Sequence, residues 1–181
     1  MNIKTNNMNT QLEIYLDLLN KFETVSIGFS IDDVENRNAY IRANSDWDLT
    51  ISNLKRFLNE YPSFWYNIAQ TVMAYNFLYV EELFLFLDKH NLIPNMGIKL
   101  NHIHAPNYLN ANVLPLNVRR QKIDEIKNIL PKYMYENLYG HYYNAEQLPK
   151  WDEFINTTIE VDKVRNQNYL DFFSKLNMPN K

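Results

Sequence analysis

VSIGFSIDD, residues 25–33, is the stretch that decides the fold. Val25 to Ile31 is a short run rich in apolar and β-branched residues, closed by two acids, Asp32 and Asp33. A run of this length and composition predicts a buried strand of the kind found in parallel sheets. Two more runs follow, FWYNIAQTVMA at 64–74 and MGIKLNHIHA at 96–105, the second stopped by Pro106. Helical spacing lies between them. Trp47, Ile51, Leu54 and Leu58 share one face of a helix predicted from Trp47 to Asn59, with Ser45 and Asp48 in capping-box spacing and Pro62 as its stop. Tyr79 to Lys89 predicts a helix with an acidic face at Glu81, Glu82 and Asp88.

Strand starts at 25, 64 and 96 are spaced as βαβ units with crossover helices. The fold class predicted is therefore α/β: an open parallel sheet of about three strands in βα units, a partial TIM-like barrel. A closed eight-stranded barrel takes about 250 residues, more than the 181 given.

Working outward, the start MNIKTNNMNT is polar, and Leu12, Ile14, Tyr15, Leu18 and Leu19 recur at helical spacing. NRNAYIRAN, residues 36–44, reads as loop or a short helical turn. Val118, Ile123, Ile126 and Leu130 stripe a helix over 117–130, and a final helix is predicted from Trp151 to Leu176. The organisation predicted is a polar extension at 1–11, the partial barrel at 12–130 and a helical appendage at 131–181.

Composition narrows the function classes. Hydrophobic residues at 46% and aromatics at 14% describe a chain that folds. A net charge of -3 offers no broad basic surface to a phosphate backbone, so nucleic acid is not an expected partner. The tyrosines at 133, 135, 139, 142 and 143 then read as packing and surface rather than as a base-stacking platform. Phe77 to Leu87, broken by Glu81 and Glu82, is too short to span a bilayer, and the start has no apolar signal-peptide core. A cytoplasmic protein with no membrane partner is the expectation. The three glycines, Gly28, Gly97 and Gly140, are too scattered for a phosphate-binding loop. There is no cysteine, hence no disulfide, zinc finger, thiol nucleophile or thiolate-held cluster.

Functional groups in parallel α/β folds gather where strands end. That rule selects Ser30 to Asp33, Gln70 to Asn76, and Asn101 to Pro106. His102 and His104, two apart on a strand, share a face, and with Asp32 or Asp33 could ligate a metal. One histidine bonding a loop while the other lines a pocket is the plainer alternative. Asp32 and Asp33 could act as an acid–base pair, or one could cap the following turn. Arg42 could clamp a carboxylate through two hydrogen bonds, or be a solvated surface arginine.

SIDDVENRNAYIR followed by WDLTISNLKRF resembles the fourth strand and following helix of radical S-adenosylmethionine proteins of the SPASM or twitch type. NIAQTVMAYN is similar to their fifth strand, NHIHAPNYLN to their sixth, and VDKVRNQNYLDFF to their C-terminal helix, so the likeness covers residues 12–176. The resemblance implies a cofactor-binding set: Ser30 at the ribose of S-adenosylmethionine, Arg42 at its carboxylate and Asp32 facing substrate. Asn76 and the Ile103–His104 backbone would stand near the adenosine. It implies a peptide or similar substrate. Asp33 stands where the family often has glycine. The cysteine loop for the 4Fe-4S cluster is absent, so a cluster could come only from another chain. Three readings follow: one piece of a split enzyme with a complementary N-terminal half, a truncated non-catalytic binding or scaffold module, and a His-x-His metal-dependent hydrolase.

Overall fold

A computed structural model describes residues 2–5, 18–19 and 21–178. Four strands form one sheet in the order β1 (Asn2–Thr5), β2 (Ser26–Ser30), β3 (Trp65–Val72) and β4 (Ile98–His102). β1 runs parallel to β2 and β2 parallel to β3, with Ile27 opposite Tyr66 and Phe29 opposite Ile68. β4 joins β3 through Met96 N–H to Tyr66 O at 2.9 Å and Ile68 N–H to Gly97 O at 3.0 Å. The open parallel α/β sheet read from the sequence is present, and β1 adds a strand in the predicted polar extension. Of the predicted N-terminal helix, Leu12, Ile14 and Tyr15 lie outside the described residues, while Leu18 and Leu19 are helical.

Seven helices stand among the described residues: α1 (Glu35–Ile41), α2 (Trp47–Glu60), α3 (Glu82–Lys89), α4 (Leu116–Ile126), α5 (Lys132–Tyr142), α6 (Trp151–Arg165) and α7 (Tyr169–Phe172). The chain divides into two compact units, Met1–Gln70 with Leu83–Lys99, and Thr71–Glu82 with Leu100–Lys181. Residues 131–178 therefore share a unit with the chain from Leu100 onward.

In the first unit, α2 covers one side of the sheet. Phe57 meets Phe29 edge-on at 5.9 Å and Tyr66 at 6.3 Å, burying the row Ile27, Phe29, Tyr66 and Ile68. Alternate positions point the other way and are less covered: Ser26, Ser30, Asn67 and Ala69 are half-buried and Trp65 is 49% exposed. Tyr66 also reaches the end of α2: its hydroxyl lies 3.0 Å from Phe57 O and 2.7 Å from Tyr61 O, carbonyls that accept the Tyr61 and Phe64 N–H groups as well. Burial, with Tyr61 adding, pushes that hydroxyl above its ordinary pKa.

Several local expectations are corrected. NRNAYIRAN is largely helical: α1 packs on α2 and buries Asn38 and Tyr40. The N-cap of α2 is Asp46, whose carboxylate accepts the Leu49 N–H at 2.9 Å, while the Ser45 hydroxyl accepts from Asn38 Nδ2 at 3.3 Å instead. Glu81 does not lie on a solvated face. It is 12% exposed and pairs with Lys122, which is 5% exposed. The predicted final helix breaks at Asn166, left-handed at φ 52°, and resumes as the short α7. α5 arises within the tyrosine run, where Met134, Leu138 and Tyr142 form its buried stripe.

Candidate functional site

The chain leaves β2 at Ser30, and Ile31 N–H still reaches Ala69 O at 3.3 Å. Two acids follow, and burying them demands partners for both charge and backbone. One residue supplies the backbone partners. Asn38 Oδ1 accepts the N–H of Asp32 at 3.0 Å and of Asp33 at 3.4 Å, and Asn38 is 1% exposed. Gln70, 1% exposed on β3, donates Nε2–H to Asp32 O at 3.2 Å.

The carboxylates diverge, as adjacent residues do, and each takes its own guanidinium. Asp32 Oδ2 lies 2.8 Å from Arg42 Nε, with side chains 3% and 21% exposed. Asp33 Oδ1 lies 3.0 Å from Arg37 Nε, with side chains 1% and 18% exposed, and also accepts the Val34 N–H at 2.8 Å. The turn-capping role therefore falls to Asp33. The result is a charge-balanced quartet at the end of β2, with buried acids anchoring two part-exposed cations. Chemically it is an orienting device: a guanidinium held by a carboxylate on one edge is directional toward an anion on another.

Ser30 is half-buried at the last position of β2, in the same unit as this quartet. Asn76, Ile103, His104 and His102 belong to the second unit, where Asn76, Ile103 and His102 have internal roles. Asn76 is 0% exposed, accepts the Met73 N–H at 2.9 Å and donates to Thr71 O at 2.9 Å, so its amide shapes the bend after β3. Ile103 N–H bonds Val72 O at 3.3 Å, and Ile103 O accepts Asn110 Nδ2–H at 2.7 Å. His104 is exposed. His102 turns instead to α5, with Nδ1 2.7 Å from the Tyr142 hydroxyl and Nε2 2.6 Å from Asn137 Oδ1. Both its ring nitrogens are thus engaged by protein groups. Among the described residues, no three of His, Asp and Glu come together as a metal-ligand set, which leaves the metal-hydrolase reading without a site there.

Two polar features escaped sequence reasoning. Arg119 is 0% exposed and is held by Leu114 O, Asn112 Oδ1, Tyr142 O and Ala145 O. Burial pulls its pKa below the ordinary value, and the neighbouring charge of Arg120 adds to this. Glu81 Oε2, beside Lys122, is buried without a hydrogen-bond partner. Nothing in a sequence pattern marks either, because burial of a charge is decided by tertiary partners. The tyrosines at 135, 139 and 143 stack along α5 at 5.9 and 4.5 Å, and Arg120 lies over Tyr143 at 5.5 Å. Among the described residues, no helix is long and apolar enough to cross a membrane. Comparison with protein families, curated proteins and solved structures finds no match.

Proposed function

We propose that these residues form the second part of a radical S-adenosylmethionine barrel, in which Arg42, oriented by Asp32, receives the ligand's carboxylate. One observation carries the reading: parallel strands follow one another in sheet order and leave one side of the sheet free of α2. Right-handed crossovers in a sequentially ordered sheet put every helix on the same face, which is how (β/α) barrels are built. The opposite face is the one a barrel turns inward. In the first unit that face carries Ser26, Gly28, Ser30, Asn67 and Ala69, small or polar residues, with Trp65 at its start 49% exposed rather than part of a second apolar core. Barrels keep their ligands at the C-terminal ends of strands, and Arg42 is anchored at that end of β2.

The residues present do not fit the iron–sulfur cluster that such enzymes use. Thiolates hold that cluster, and the 181 residues contain no cysteine. No radical step is therefore assigned to these residues, and a complementary N-terminal half bearing thiolates is part of the proposal. Within the chain, Ser30 and Arg42 are the groups offered to S-adenosylmethionine, and a peptide is the substrate class carried over from the resemblance.

The test is titration calorimetry of S-adenosylmethionine into the chain and into Arg42→Ala. Loss of one charge-assisted carboxylate contact should weaken binding at least about tenfold. Equal binding by the two proteins, or none by either, overturns the ligand assignment. Absence of binding would favour a non-catalytic binding or scaffold module. One observation supports that second reading: Asp32 already neutralises Arg42 inside the fold.

A further inference from the structure

His102 lies at the last position of β4, and its two ring nitrogens face two residues of α5. Asn137 presents its oxygen, an acceptor only, so Nε2 carries the ring proton and donates. Nδ1 then holds a lone pair, and the Tyr142 hydroxyl donates to it. Tyr142 is 1% exposed and burial raises its pKa, so the phenol keeps its proton for that bond. This arrangement is complete only when the imidazole is neutral. A proton on Nδ1 would turn that bond round, so that Nδ1–H donates to the phenol oxygen and the proton of a buried hydroxyl loses its acceptor.

The surroundings oppose that proton as well. The His141 ring stacks on His102 at 3.7 Å with an interplanar angle of 20°, so a cation on either ring faces the other. His104, two residues along, is the other titratable group whose charge acts on His102, and it too opposes protonation. From α4, Arg119 reaches the same corner through Tyr142 O, and the Phe77 ring meets Tyr142 edge-on at 5.0 Å. Burial is the largest influence, His141 and His104 add to it, the Asn137 bond opposes it, and His102 is lowered from 6.5 to about 4.

We propose that His102 is the bolt of a proton-sensitive latch: neutral, it ties the end of β4 to the last turn of α5, and protonated, it releases that turn. The sign follows from linkage. A histidine held neutral in the fold contributes stability that is full above 6.5, the ordinary value, and is lost as pH falls from there toward 4. The unfolded chain takes up the proton first, so acid favours opening. No ligand is required, and the latch is independent of whether Arg42 binds a carboxylate.

The experiment follows the His102 ring by NMR in the full chain during acid titration, alongside urea unfolding of the wild type, His102→Gln and His141→Gln at several pH values. In the wild type the His102 resonance should stay in place until below about pH 5, and the Asn137–Tyr142 amides should move together with it. The folded-to-unfolded ratio should fall about tenfold more between neutrality and about pH 5 in the wild type than in His102→Gln, which cannot be protonated. His141→Gln should raise the midpoint of His102, an effect a purely structural role would not produce. A His102 midpoint near the ordinary histidine value overturns the latch, as does an identical pH slope in His102→Gln. If that variant fails to fold, the wild-type ring titration decides alone.

Discussion

Arg42 and Arg119 each have an internal partner set in their own unit, and they are held in opposite ways. Arg42 is 21% exposed and leans on a carboxylate, Asp32. Arg119 is 0% exposed and is surrounded by carbonyl and amide oxygens of Leu114, Asn112, Tyr142 and Ala145. A carboxylate partner neutralises charge and can be shared with, or displaced by, an incoming anion. A cage of fixed dipoles cannot be displaced, because most of its oxygens belong to the backbone that the guanidinium is joining together. The first arrangement suits recognition and the second suits fastening. The same residue type therefore carries opposite implications for function.

The comparison breaks most easily at Arg119. Arg119→Ala should strand four acceptors, the Leu114 and Tyr142 carbonyls among them buried, and cost about 3–5 kcal/mol, seen as a large drop in the urea midpoint. Arg119→Lys, which keeps the charge but loses the planar fork, should recover only part of that. Loss of under about 1 kcal/mol in Arg119→Ala would mean that the cage fastens nothing. Arg42→Ala should be milder, about 1–2 kcal/mol, since water reaches the guanidinium and can solvate what remains of the pair. If the two variants proved equal, the distinction between recognition and fastening would fail. As a baseline, the exposed Arg56–Glu60 pair, with side chains 40% and 50% exposed, should barely matter. Arg56→Ala is expected to change stability by under about 0.5 kcal/mol.

Strands and helices with apolar signatures were legible. β2, β3 and α2 announced themselves because Ile27, Phe29, Ile68, Ile51 and Leu54 must leave water whatever surrounds them, although Phe57, buried where Leu58 was expected, lay outside the predicted stripe. α1 was only half legible, as one of two alternatives and too short: in ENRNAYI the residues that become buried are Asn38 and Tyr40, and Asn38 is buried for the two N–H groups it satisfies. The break at Asn166 had a faint signal, since asparagine tolerates the left-handed conformation, but it lay inside a continuous helical pattern. At the candidate site, the strand-end rule selected Asp32, while Arg42 stood out separately as a clamp for a carboxylate, and neither was paired with the other. Their bond to each other depends on the turn closed by Asn38, which brings residues ten apart in sequence to 2.8 Å. His102 was singled out for its neighbour His104, whereas its partners Asn137 and Tyr142 are more than thirty residues away.

The hydroxyl of Tyr66, shared between Phe57 O and Tyr61 O, makes β3 a gauge for the length of α2. Each added or deleted helical residue would swing the terminal carbonyls by about 100° around the axis and carry them past the phenol. A one-residue indel within α2 or the turn leading to β3 should then be felt as a register error, in the way a miscut part fails a go/no-go gauge. Four residues, close to one full helical turn, would return the carbonyls nearly to the same bearing, although displaced along the axis by about 6 Å. Length variation in this part of the chain is thus felt at a single phenol oxygen.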